Sequence, residues 1–313
     1  MTRAATLPAV ARVAAGLAVL ALVATAPGCH RDDAVVVAGK NFTEQRVLGE
    51  LLAQSIERAG IRVERRLDLG GTFVCDGAIR AGQVDAYVEY TGTALGAILK
   101  DASPPGDPAA VLAKVRAAYA PAGLVWTAPL GFDNTFALVV RGDTRERTIS
   151  EAVPAATRWN AAFGYEFEQR ADGYPALRNA YGLAFAGIRT MDLGLLYRAL
   201  LDREADVVVG SATDAPIARF GLRVLADDRR AFPPYQAVPV VRRAALDAHP
   251  RLEAVFAALG GSIDLETMRK LNEEVEGEGL SPADAVHRFL EDEAPRGRSR
   301  ASAPVGGGAA AAD

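Results

Sequence analysis

Tyr90, Thr91 and Thr93 follow an apolar, strand-like segment in the run Asp85-Ala86-Tyr87-Val88-Glu89-Tyr90-Thr91-Gly92-Thr93. In an open α/β sheet, ligands sit in the crevice beyond the carboxyl ends of the strands, so this aromatic and these hydroxyls stand where a small molecule is held. The plainer reading has Tyr90 packing a loop and Thr93 capping the next helix, and the stretch alone allows both. Lys40 lies at the start of another predicted helix, where free N–H groups and the helix dipole favour an anion. Thr93 and Arg170 add donors for a carboxylate, Arg170 in bidentate fashion. Tyr90, Phe136 and Tyr235 fall at strand or loop ends, and each aromatic face attracts a quaternary ammonium by about 0.5–2 kcal/mol. Taken singly, each reads as core packing.

Catalysis finds little support. Of the histidines, His30 lies in a leader region, His249 precedes Pro250, and His287 sits on a late predicted helix. None stands near a Ser, a Cys or paired carboxylates in a catalytic pattern. There is no G-x-S-x-G or H-E-x-x-H, and Gly39-Lys40-Asn41 lacks the rest of a phosphate loop. An enzyme on this architecture would need Asp76 or Asp85 as its acid or base, and neither has a second catalytic group beside it. No metal site and no cofactor are expected. The formal charge of −4 and the lack of a basic stripe with interleaved aromatics exclude a nucleic-acid binder.

The elements that must position these residues alternate between strand and helix. Val35 to Ala38 is a continuous apolar run, as in a strand covered on both faces. A helix follows with Val47, Leu48, Leu51, Leu52 and Ile56 on one face, opened by an Asn41–Glu44 capping box and stopped by Gly60. Ile61, Val63 and Leu67 alternate as a second strand, and Gly70-Gly71 opens a helix that ends at Gly82. Asp107 and Pro108 start a helix with Val111, Leu112, Val115 and Tyr119 buried. Leu124 to Trp126 and Phe136 to Val140 are strand-like. In the second half, Thr148 and Glu151 form a capping box, Phe163, Tyr165 and Phe167 alternate as a strand, and a short helix closes at Gly182. A helix over Leu195–Leu200 leads to the strand Asp206–Val209. Ala237 to Val241 is a return strand, and helices over 244–259, 265–276 and 282–291 complete the first lobe. This alternation signals an α/β sheet built from βαβ units. One unit recurs: Arg80 to Asp85 leads through a strand to Tyr90, and Leu201 to Asp206 leads through a strand to Ser211 at the same offset from its Asp.

At 313 residues the chain can form two lobes with real cores. The boundaries expected are 34–137 with 236–292 for the first lobe and 138–235 for the second, joined by a two-strand hinge. Residues 1–29 read as a signal peptide, with Arg3 and Arg12 before an apolar segment from Val13 to Ala26. The segment ends Ala26-Pro27-Gly28-Cys29, similar to a bacterial lipobox with Ala where Leu is usual, so Cys29 is either lipidated or passed over by ordinary cleavage. Cys75 is then a lone thiol, expected as a small core residue. Residues 293–313, rich in Ala, Gly, Pro, Arg and Ser, read as a disordered tail.

Five motifs occur in order: Gly39-Lys40-Asn41-Phe42-Thr43-Glu44-Gln45, Gly70-Gly71-Thr72-Phe73, Glu89-Tyr90-Thr91-Gly92-Thr93, Asn134-Thr135-Phe136 and Phe232-Pro233-Pro234-Tyr235. Together, over about Val35 to Glu291, the chain resembles the substrate-binding proteins of glycine betaine/carnitine/choline ABC importers, the osmoprotectant-uptake (ProX/OpuC-like) group. The resemblance implies a type II periplasmic-binding-protein fold, an exported monomeric receptor, and a small quaternary-amine or zwitterionic ligand. Its partners would be an ABC permease with its ATPase subunits, and the membrane through a lipid on Cys29. It implies cage roles for Tyr90, Phe136 (where the family usually has Tyr) and Tyr235, and carboxylate contacts for Lys40, Thr93 and Arg170. Gln45, Asp76 and Asn134 align with polar pocket positions. Ser211 replaces an expected cage Tyr, which implies either weak betaine binding or a ligand that is bulkier or differently charged. A binding module serving a sensor is the other reading the residues allow.

Overall fold

The strand β1 (Ala34–Lys40) shows why its run is unbroken. Val35 and Val37 enter one core with Leu48, Leu51 and Ile56, while Val36 and Ala38 enter another with Ile79, Val84 and Tyr119. Alternate side chains point to opposite faces, so a strand covered on both sides must be apolar throughout. The computed structural model describes residues 34–101, 106–165, 167–169 and 172–301, with side chains through residue 292.

In the first sheet, β1 lies between β2 (Arg62–Gly70) and β3 (Ala86–Tyr90), followed by the return strand Ala237–Arg242 and the edge strand Leu124–Trp126. β3 runs parallel to β1 and antiparallel to the return strand. The second sheet orders Gly187–Met191, Asn160–Gly164, Val207–Ser211, Phe136–Val140 and Arg223–Val224. Position for position, the two sheets have the same order. The edge strands Gly187–Met191 and Arg223–Val224 were not expected from the sequence. The strand expected through Phe167 stops at Gly164, beyond which Tyr165 is exposed and Phe167 returns to within 5.1 Å of the Phe163 ring. Phe136 and Ala137, assigned from sequence to the first lobe, pair within the second sheet.

The recurring unit is a structural repeat. Asp85 accepts the Val36 N–H at 3.0 Å and an Arg242 N–H at 2.9 Å. Asp206 accepts the Asn160 N–H at 2.9 Å and an Arg141 N–H at 3.2 Å. In each sheet one carboxylate therefore ties the start of a parallel strand to an arginine at the end of its antiparallel neighbour.

Helix α1 (Thr43–Arg58) buries the expected face and ends before Gly60, whose φ of 75° suits glycine. Its cap is Phe42 without a side-chain hydrogen bond, so the Asn41–Glu44 box does not form. Thr148 does cap its helix by accepting the Glu151 N–H at 3.1 Å, and Asp107 caps its own through Ala109 and Ala110. The helix Leu265–Glu276 reaches both sheets. Met268 and Leu271 join the core around Leu48, while Arg269 donates to the Ala212 carbonyl at 2.6 Å. Helix Pro282–Ala301 runs ten residues past the expected end at Glu291, into the segment read as tail. Cys75 is buried with a free thiol, and burial pushes its pKa up to about 11.

Candidate functional site

Both sheets present their central strand ends to the segments that join them. Tyr90 closes β3 opposite Ala237, and Ser211 closes its strand opposite Phe136. The joining segments run side by side: the Asn134 N–H donates to the Tyr235 carbonyl at 3.1 Å, and the Tyr235 N–H donates to Asp133 Oδ1 at 2.9 Å.

Gly92 permits the central contact. A Cβ there would stand 2.8 Å from the Pro234 carbonyl oxygen and 2.8 Å from Cδ1 and Cε1 of Tyr235, so only glycine lets the ring lie on this backbone. The Tyr235 ring meets Phe136 edge-on at 6.0 Å, and Phe136 packs on Phe167 at 5.0 Å and Phe232 at 5.6 Å. The Tyr235 hydroxyl donates to Asp172 Oδ2 at 2.6 Å.

Tyr90 is held in the same manner, its hydroxyl donating to Glu44 Oε1 at 2.5 Å. Glu44 also accepts from Asn134 Nδ2 at 3.0 Å and Asn272 Nδ2 at 3.2 Å, and Asn134 Oδ1 accepts the Thr213 hydroxyl at 2.9 Å. Burial raises the Glu44 pKa above its ordinary range although its donors pull the other way. Burial also raises the Tyr90 pKa, with the Glu44 charge adding to it. Lys40 is buried and donates to Glu89 Oε1 at 2.5 Å and to Thr72 Oγ1 at 2.9 Å. Its Nζ lies 5.1 Å from the centre of the Tyr90 ring. Burial raises the Glu89 pKa, with Lys40 opposing.

Of the sequence-selected residues, Lys40, Tyr90, Asn134, Phe136 and Tyr235 are brought together, with Ser211 beside Phe136. Thr93 is half-buried just after Tyr90. Gln45 is fully buried near the Tyr90 hydroxyl, yet its amide makes no hydrogen bond of normal geometry. Asp76 lies close enough to Glu89, the partner of Lys40, for its charge to add to the rise of the Glu89 pKa, and its oxygens take the Tyr119 hydroxyl at 2.9 Å and Arg80 Nε at 2.7 Å. Arg170 and Cys29 lie outside the described residues. Sequence reasoning missed Glu44, Glu89, Asp172, Thr213 and Asn272. Helical spacing held a signal for two of them, because Glu44 shares the face of Leu48 and Leu51, and Asn272 that of Met268.

A cavity of about 1040 Å³ opens beside Phe136 and Ser211 and continues over the second sheet past Leu196, Tyr197 and Phe220. Among the described residues, no group of His, Cys, Asp and Glu is arranged to hold a metal ion.

Two α/β lobes of matching strand order, joined by adjacent crossings and carrying aromatic and ionisable residues at the strand ends, are the type II periplasmic-binding-protein architecture. Residues 33–292 match the family of substrate binding domains of ABC-type glycine betaine transport systems, and the chain belongs to that family. Its members are binding receptors of importers rather than enzymes, and they work outside the cytoplasmic membrane. The chain is 34% identical to a glycine-betaine-binding protein of Pseudomonas aeruginosa, over 85% of this chain and 90% of that one. It is 33% identical to the carnitine transport binding protein OpuCC of Listeria monocytogenes, over 84% and 88% of the two chains. Among solved structures, a glycine betaine/carnitine/choline ABC transporter protein superposes with a TM-score of 0.79 at 29% identity, covering 83% of this chain and 98% of that one. Apo YehZ from Escherichia coli gives 0.74 at 27% identity, covering 83% and 99%.

Proposed function

We propose that this chain captures a quaternary amine or betaine-type zwitterion and delivers it to an ABC permease and its ATPase subunits. The trimethylammonium would sit against Tyr90, Phe136 and Tyr235. Lys40, Thr93 and Arg170 would meet a carboxylate, with Gln45 and Asn134 supplying further polar contacts. The observation that carries the reading is the treatment of the two tyrosines. Each donates its hydroxyl to a carboxylate, Tyr90 to Glu44 at 2.5 Å and Tyr235 to Asp172 at 2.6 Å. Such a bond fixes the ring and polarises it toward a more electron-rich face, which a cation unable to donate strong hydrogen bonds would seek. Hinge closure around the ligand would precede docking on the permease. Choline belongs to the same ligand class, needing only the cation half of the site.

Export through the leader and a lipid on Cys29 would hold the monomeric receptor at the membrane. No helix among the described residues is long and apolar enough to cross a membrane.

Titration calorimetry of the mature chain with glycine betaine, carnitine, choline and proline betaine tests the reading, and silence with all four removes the ligand class. Arg170→Ala should weaken the three carboxylate-bearing ligands and spare choline. An equal loss for all four would remove the carboxylate clamp.

A further inference from the structure

The cavity beside Ser211 is larger than a compact trimethylammonium needs. Its volume of about 1040 Å³ lies at the upper end of the range for drug-sized ligands. Its course follows from two small residues in succession. Ser211 is cross-strand partner to Phe136, so a large side chain there would stand against that ring and close the opening. Gly210 faces the other side of the sheet, where a Cβ would come within 2.3 Å of the Tyr197 hydroxyl and 2.5 Å of Asp214 Oδ2. The Gly210-Ser211 backbone is thus a low sill between the aromatic corner and the space over helix Leu193–Leu201. Beyond it, Tyr197 donates to Asp214 at 2.6 Å, and the same oxygen accepts the Ser211 N–H at 2.8 Å. This pins Tyr197 beside Ser211 through a shared carboxylate oxygen. Leu193 and Phe220 line the far wall and are exposed.

We propose that this cavity is a second compartment of the ligand site, taking the aromatic or branched apolar substituent of a bulky betaine whose ammonium rests at Phe136. The inference builds on the proposed quaternary-amine site and names the ligand class more narrowly: betaines of large amino acids rather than of glycine. Leu193, Leu196, Leu201 and Phe220 form its apolar part, Asp192, Glu276 and the Arg198–Asp202 ion pair also line it, and the carboxylate nearest the sill, Asp214, already holds two donors. An apolar substituent with a delocalised edge fits the aromatic and aliphatic part of this lining.

The test is titration calorimetry of glycine betaine and phenylalanine betaine against the wild-type chain, Ser211→Tyr and Leu193→Glu. Wild type should bind phenylalanine betaine on the order of tenfold tighter, as expected for burying one more aromatic ring. Ser211→Tyr should reverse that preference by closing the sill and adding a cage wall. Leu193→Glu, at an exposed position, should weaken only the phenylalanine derivative. Wild type favouring glycine betaine, or a ratio unchanged in both variants, overturns the second compartment and leaves the quaternary-amine site standing. Failure of both ligands on all three chains overturns the site itself, and the compartment with it.

Discussion

Gly92→Ala puts the aromatic corner to a direct test. The added methyl would stand 2.8 Å from the Pro234 carbonyl oxygen and from two ring carbons of Tyr235. Carbon atoms pack at about 3.5–4.0 Å, so something must move by roughly 1 Å. The Pro234 carbonyl is pinned, accepting the Thr91 hydroxyl at 3.0 Å, while the Thr91 N–H donates to Gln236 O at 3.1 Å. The ring is the softer partner, and shifting it disturbs its 6.0 Å contact with Phe136. Overpacking of this kind costs about 1–3 kcal/mol of stability. Displacing one aromatic wall costs about 0.5–2 kcal/mol of cation attraction, or roughly 2- to 30-fold in Kd. Urea unfolding measures the first effect, and calorimetry with the best-binding quaternary amine measures the second. Gly96→Ala is the control, because a Cβ there meets nothing within 4 Å and binding should stay at the wild-type level. A Gly92→Ala protein that is destabilised but binds with wild-type Kd would show that Tyr235 does not contact the ligand. A protein altered in neither respect would refute the packing argument as well.

The remaining expectations concern the carboxylates. Asp85→Ala strips the acceptor from the buried Val36 N–H and should cost about 1–3 kcal/mol in urea unfolding. Asp206→Ala should cost less, because the Asp206 side chain is 32% exposed against 10% for Asp85; equal losses would contradict this. Glu44 has a folded pKa above its ordinary 4.5, so the folded chain holds that proton more tightly than the unfolded one. Its contribution is therefore greatest at low pH and declines as pH rises from about 4.5 through the folded pKa, at no more than about 1.4 kcal/mol per pH unit. The unfolding free energy of wild type minus that of Glu44→Gln should fall across this window, and a flat difference would refute the assignment.

Much of the fold was legible because burial leaves a local imprint. Val35 to Ala38 had to be apolar at every position, and the face Val47 to Ile56 recurs at helical spacing whatever it packs against. The two Asp-led units could be matched by eye because each performs the same local task at the start of a strand. The edge strands Gly187–Met191 and Arg223–Val224 left no such trace, since a half-exposed or two-residue strand needs no apolar pattern. Glu44 was misread because, within its own segment, an acidic residue three places after Asn41 is indistinguishable from half of a capping box.

From its amino acids alone the chain settled its layered α/β class, its repeated unit and the residue types gathered at the strand ends. Only the tertiary structure decided which of those residues meet. Glu44 finds Asn272 at 228 residues' separation, and Tyr235 finds Gly92 because no Cβ stands between them. Hydrophobic periodicity is written within a few turns of chain, whereas the partner of a buried charge or ring is set by how distant segments converge, and no local pattern encodes that.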